Sequence, residues 1–296
     1  MHKLLKPIHS SWMLLAAAVT FIIVSFLAGG LTNVYGSILL TQVIGILMPP
    51  VLFMFLKKYN IKQNFRLHSF NLKQFVLITF GIIAVYPVGV FLNAIFQYVL
   101  IGFEVDLPTS PIPNIVTSSH FLVAFMFIAV LPGICEEVLF RGFIMRGYEK
   151  FGAIKAIAIS AVLFGMFHFT LTNLAGPIFL GAVIGYIVIA TRSLFAGMYA
   201  HGLNNAIALT LIYITSNGGP VENEVVTQEM MLTALYILAA TAMLCAIAAF
   251  FILRTLSDKS LDNIEKTHKD SGEAKLNVFA LIPIGIFVIL YLLAAG

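Results

Sequence analysis

Long runs of apolar residues recur along the chain, separated by short polar segments: Trp12 to Leu31, Val34 to Leu56, Phe75 to Phe103, and Phe121 to about Arg146. Five more occur at Ile154 to Thr170, Leu174 to Ala190, Leu194 to Thr215, Met230 to Leu253 and Val278 to Leu293. A helix rising ~1.5 Å per residue needs about 20 residues to cross a ~30 Å hydrocarbon core. Most runs reach that length, and tilt or local thinning of the bilayer accommodates those that are short or long. The pattern predicts an all-α fold, a polytopic transmembrane helical bundle of about nine spans. The first run comes after Lys3 and Lys6, as the apolar part of a secretory signal would. At about twenty residues it is too long for that role and is read as the first span.

The charges test this parsing, because loops on the cytoplasmic side of a membrane collect Lys and Arg. With the N-terminus placed in the cytoplasm, all 17 basic residues fall on the inner side. They sit before the first span, at Lys57 to Lys73, at Arg141 to Lys155, at Arg192, and at Arg254 to Lys275. The outer loops hold only acids: Glu104 and Asp106, then Glu222, Glu224 and Glu229. A miscounted span would have scrambled the two sets. The segment Lys57 to Lys73 interleaves bases with Phe65, Leu67, Phe70 and Leu72, a pattern that suits either a strip lying on the anionic inner leaflet or a plain basic loop. The stretch Arg254 to Lys275 is mixed in charge and is expected to be a solvated cytoplasmic loop.

Composition narrows the class further. A chain of 296 residues that is 60% hydrophobic and 10% charged, with mean hydropathy +1.00, is outside the range of soluble domains. The net charge of +4 arises from short loops that orient the membrane spans, so a nucleic-acid partner is set aside. Cys135 and Cys245 are far apart in apolar stretches and offer neither a disulfide framework nor a zinc knuckle. With no repeat and no long polar region, residues 1–296 are read as a single membrane domain, its lipid bilayer the first partner.

Ionisable groups inside a span cost roughly 2.5 to 3.5 kcal/mol each at mid-helix, so their presence needs a reason. The fourth run holds three within Leu131-Pro132-Gly133-Ile134-Cys135-Glu136-Glu137-Val138-Leu139-Phe140-Arg141-Gly142. On a helix Glu137 and Arg141 share a face at i, i+4, while Glu136 points about 100° away. Glu137 can therefore be neutralised by its own helix. Glu136 has no such partner there and is the carboxylate left to exchange protons as a general base or acid. The bland alternative is that both glutamates join helices or line an ion path. Cys135, beside them, reads as a small packing residue.

The fifth run places Phe164 and His168 on one helical face, where a lone His is more often a packing or hydrogen-bonding group than a catalyst. The seventh places His201 and Asn205 one turn apart, where their donors can hold a developing oxyanion when water attacks a carbonyl. At ~1.5 Å per residue from the flanking bases, Glu137 and His201 both lie about 13 Å deep and His168 about 20 Å, a mismatch of roughly one turn that tilt or an earlier helix start would absorb.

At these residues the sequence resembles the CAAX prenyl protease type II family, also called CPBP (CAAX proteases and bacteriocin-processing enzymes). The resemblance covers about Val130 to Leu211 and rests on three motifs in order: Glu-Glu-x-x-x-Arg at Glu136, Glu137 and Arg141; Phe-x-x-x-His at Phe164 and His168; and His-x-x-x-Asn at His201 and Asn205. Gly181, Gly185 and Arg192, and the lead-in Arg66 to Phe75, also resemble family text, whereas the ninth run is an addition. The resemblance implies an intramembrane endopeptidase with a catalytic core at residues 121–215. In it Glu136 with His168 activates water, Glu137 is held by Arg141, and His201 with Asn205 stabilises the oxyanion. The implied substrate is a membrane-associated or C-terminally prenylated (CAAX-type) protein or peptide, and the implied setting a multi-pass protein of the plasma membrane.

No cofactor is expected. Members of the family have been described both as metalloproteases and as metal-free glutamate proteases; two His and a Glu can ligate zinc with an open position, but none here shows the His-Glu-x-x-His spacing of a helical zinc site. The rival classes are a transporter, which would show inverted repeats and paired broken helices that are not visible, and a non-catalytic immunity scaffold that has kept the fold.

Overall fold

The computed structural model describes residues 4–105, 117–216, 227–256 and 278–295. Among them the fold is all-helical, without strands, and every apolar run folds as a helix. In chain order these are α1 (Pro7–Leu31), α2 (Val34–Leu56), α3 (Leu72–Gly102), α4 (Ser118–Phe151), α5 (Ala153–Met166), α6 (Ala175–Thr191), α7 (Leu194–Ser216), α8 (Gln228–Arg254) and α9 (Val278–Ala295). Seven described helices are long and apolar enough to cross a membrane, the sixth run being counted from Leu171. The other two are α5 and α7. The first has 14 residues, or ~21 Å of rise, and stops short of a full crossing. The second has 23 residues, but His201, Asn204 and Asn205 dilute its apolar character.

Local chemistry sets the helix ends. Pro7 occupies the first turn of α1, where its missing N–H costs nothing, so the helix begins ahead of the apolar run. Asn71 and Gln74 form a reciprocal capping box at the start of α3. Arg192 closes α6 in the left-handed region at φ 54°. The apolar pattern extends the fifth run to Thr170, and here the structure differs: α5 ends at Met166, and Phe169 has φ 50°. His168 therefore stands in a turn past the helix tip.

Basic segments gather at one end of the bundle. Arg66 pairs with Glu149, as does Arg146; the backbone N–H of Leu194 donates to Arg66 O at 3.0 Å; and the Tyr59 hydroxyl meets His9 Nδ1 at 3.3 Å. At the opposite end the last turn of α3 meets the first of α8, with Gln228 packed beside Gly102, which brings the acids Glu104 and Glu229 to that side. Within the Lys57 to Lys73 segment Tyr59, Asn64 and Phe65 are buried, and Phe65 abuts Gly142. Asp106, Glu222, Glu224 and most of the Arg254 to Lys275 loop fall outside the described residues.

The second half of α4 is the centre of the bundle, buried continuously from Glu137 to Met145. Its neighbours come close because small residues face one another, as expected where lipid supplies no hydrophobic drive between helices. A Cβ on Gly133 would meet Gly202 N at 3.0 Å, and one on Gly181 would meet Ala161 Cα at 3.0 Å. The first contact joins α4 to α7, and the second joins α6 to α5. Three stretches are π-helical, Thr41–Leu47 in α2 and Phe125–Val130 and Val138–Met145 in α4, a geometry often found beside functional sites.

Candidate active site

Arg141 is the largest charged group in the core, 1% exposed. Its Nη1 donates to Glu137 Oε1 at 2.6 Å, its Nη2 donates to Gly181 O at 3.0 Å, and the guanidinium lies 4.5 Å from the centre of the Phe164 ring. The i, i+4 pairing expected from the sequence is present. Glu137 Oε1 also meets His201 Nδ1 at 2.9 Å, so one oxygen links α4 to α7. Gly197 makes room for the carboxylate: a Cβ there would approach Glu137 Oε2 to 3.2 Å.

That contact orients His201. An ionised carboxylate only accepts, so Nδ1 carries the hydrogen, and Nε2 bears a proton only in the imidazolium form. Nε2 lies 3.9 Å from Glu136 Oε2. His168 is placed by the same logic: its Nδ1 is 3.0 Å from Phe164 O, a carbonyl that can only accept, which leaves Nε2 with a free lone pair in the neutral ring. The Phe164 ring stands edge-on to both histidines, with centroids 5.1 Å from His168 and 5.5 Å from His201. The phenylalanine, the two histidines and the buried arginine thus form one packed unit.

A cavity of about 460 Å³ opens within the bundle, lined by Glu136, His168, His201, Asn204 and Asn205 among others. Glu137 and Arg141 do not line it. The structure therefore separates the six residues into four that face the cavity and a buried pair behind them. Glu136 keeps 14% of its side chain exposed there, against 0% for Glu137. Asn205 Nδ2 donates one hydrogen to Ile128 O at 3.2 Å, leaving its second N–H. Cys135 is buried and packs as expected.

Reasoning from the sequence missed several polar residues at the cavity or against Glu136. Asn204 sits beside Asn205, with its amide 3.4 Å from the Asn205 carbonyl oxygen. Asn93 and Gln97 of α3 both donate to Thr172 O, at 3.3 and 3.0 Å, and hold the segment that leads into α6 against the cavity wall. Gln42 of α2 donates to Glu136 Oε1 at 2.8 Å, a partner for Glu136 that lies on another helix. A signal was present in each case: a carboxamide inside an apolar span, costly unless it has a partner.

Among the described residues no three His, Cys, Asp or Glu side chains are arranged to hold a metal ion. His201 Nδ1 is engaged with Glu137 Oε1, so that nitrogen is not free to act as a ligand.

Residues 118–207 match the family described as Type II CAAX prenyl endopeptidase Rce1-like, and the match spans all three motifs. No curated protein and no solved structure matches the chain. The family consists of peptidases, and with its apolar helices the chain is an integral membrane protein that carries a protease domain.

Proposed function

We propose that this chain, whose residues 118–207 form an Rce1-like type II CAAX prenyl endopeptidase domain, is an intramembrane endopeptidase that cleaves membrane-associated or C-terminally prenylated proteins with a glutamate-activated water. The observation that carries the reading is the convergence of Glu136, His168, His201 and Asn205 on one cavity inside an apolar bundle. Elsewhere in the cavity wall the polar groups are chiefly carboxamides, which pair with a peptide backbone as donor and acceptor alike.

In the proposed reaction Glu136, assisted by the His168 Nε2 lone pair, takes a proton from water while the water oxygen bonds to the scissile carbonyl carbon. The carbonyl π electrons move to oxygen. That oxyanion is received by the free N–H of Asn205 and by Nε2–H of His201 in its imidazolium form, which the Glu137 carboxylate supports. Collapse of the intermediate breaks the C–N bond, and Glu136 returns the proton to the leaving amine. The test is to express wild type and Glu136→Ala in matched membranes and compare the peptides by mass spectrometry. Peptides that end at a new C-terminus only with wild type are expected, and identical profiles would overturn the proposal.

The reaction is proposed to be metal-free. Enzyme dialysed against a strong chelator is expected to keep its activity and to contain substoichiometric zinc. Loss of activity restored by added zinc would recast the histidines as ligands.

The proposed orientation puts the N-terminus and the basic end in the cytoplasm, in the plasma membrane. In a Cys245→Ser background, Glu229→Cys is expected to react with an impermeant thiol reagent on intact cells and Lys62→Cys only after lysis. The reverse pattern would sink the orientation.

A further inference from the structure

Gln42 comes from outside the matched domain, and its surroundings are built to deliver it. It lies at the start of the π-helical stretch Thr41–Leu47 of α2. A π turn holds one residue more than an α turn and so rotates the helix before it by about 100° relative to the helix after it. The result here is that Gln42 is 8% exposed while its apolar neighbours Val43 and Ile44 are each 36% exposed: the polar side chain faces the bundle. Helix α1 holds the stretch in place. The Thr20 hydroxyl donates to Gly45 O at 2.9 Å, and a Cβ on Gly45 would meet Phe21 Cα at 2.9 Å, so no other residue fits there without movement.

Because a carboxylate only accepts, the amide nitrogen of Gln42 must be the atom that faces Glu136 Oε1. This leaves Gln42 Oε1 buried without a hydrogen-bond partner, an arrangement that costs free energy. The two facts fit one device. With Glu136 ionised, Gln42 donates to it; with Glu136 protonated, a half-turn of the amide lets the orphaned Oε1 accept the carboxyl O–H. We infer that Gln42 is a positioning residue for the reaction, holding the Glu136 carboxyl group in one orientation both before and after it takes the proton from water. The inference rests on the reading of Glu136 as the base.

The other groups around Glu136 are His201 from α7, Glu137 and Arg141 on its own helix, and His168 and Tyr86 in the cavity wall. Of these, Arg141 is engaged by Glu137, and His201 Nε2 stands 3.9 Å from Glu136 Oε2, so the Gln42 N–H is the donor at hydrogen-bond distance from the carboxylate.

The test is cleavage of a fluorogenic prenylated CAAX peptide, read separately as kcat and KM, beside an isotope-edited infrared spectrum of the Glu136 carboxylate band, assigned by its disappearance in Glu136→Gln. Gln42→Met, nearly isosteric and unable to donate, is expected to lower kcat by about tenfold with KM unchanged and to shift the carboxylate band. Gln42→Glu sets a second acceptor where the donor stood and is expected to lower kcat further. Unchanged kcat and an unmoved band in both variants, or failure of both to insert, would overturn the inference and leave Gln42 a packing residue. Continued cleavage by Glu136→Gln would instead remove the base assignment while leaving the infrared coupling intact, so the two failures are distinguishable.

Discussion

Glu136→Gln is expected to lower turnover by a factor of about 10² to 10⁴, the range a positioned general base contributes, while the protein still inserts and folds. The substitution keeps the shape and hydrogen-bonding capacity of the side chain but removes the proton acceptor. Glu136 belongs to no ion pair with Arg141, and its closest cationic candidate is His201 Nε2 at 3.9 Å, so little stability is at stake. The glutamine can rotate its own carbonyl toward the Gln42 N–H, which now sits 2.8 Å from Glu136 Oε1. The loss should fall on kcat, because the interaction removed is made during proton transfer and not in binding. A cleavage assay beside a thermal unfolding midpoint in detergent checks both halves. Normal turnover would refute the assignment of the base.

The opposite profile is expected for Glu137→Gln. Arg141 would remain in the core with its main acceptor neutralised, keeping only the Gly181 carbonyl and the face of Phe164. Breaking a buried pair on one side typically costs about 3 to 5 kcal/mol because the remaining charge is uncompensated. For a domain of this class that corresponds to a fall in midpoint on the order of 10 °C. Turnover should fall as well, since His201 Nδ1 loses its anionic partner and the imidazolium form its support. Adding Arg141→Met to Glu137→Gln removes both charges and is expected to recover a substantial part of the stability but not the activity. Strictly additive losses of stability in the double variant would refute the pairing. Together the two glutamate variants divide a role at the cavity from a role behind it, a division that their different burial already suggests.

Gln42 and Glu137 show where legibility from sequence ends. The membrane helices could be read directly, because a bilayer offers no partner for an unpaired backbone group and so demands long apolar segments that satisfy their own hydrogen bonds. The Glu137 to Arg141 pair could be read too, because residues four apart on one helix meet whatever the rest of the chain does. The three polar motifs stood out since charge and imidazole inside such runs are costly. Span completeness was less legible: α5 stops at Met166 although its apolar character continues to Thr170, because hydropathy does not register a turn that puts the His168 ring against Phe164 O and ends the helix.

Contacts across the bundle lie beyond any local rule. Gln42 reaches Glu136 across 94 positions and His201 reaches Glu137 across 64. Each depends on helix phase, which one extra residue in a π turn resets, and on how closely glycines let neighbouring backbones approach. The sequence by itself determined that this is a helical membrane protein with a carboxylate, two histidines and an asparagine set into apolar runs. Only the tertiary structure decided that Glu136 lines a cavity, that the Glu137 and Arg141 pair is sealed behind it, and that a glutamine from the second helix completes the group. The physical reason is that burial and hydrogen-bond partnership depend on all the helices around a side chain, whereas periodicity describes one helix at a time.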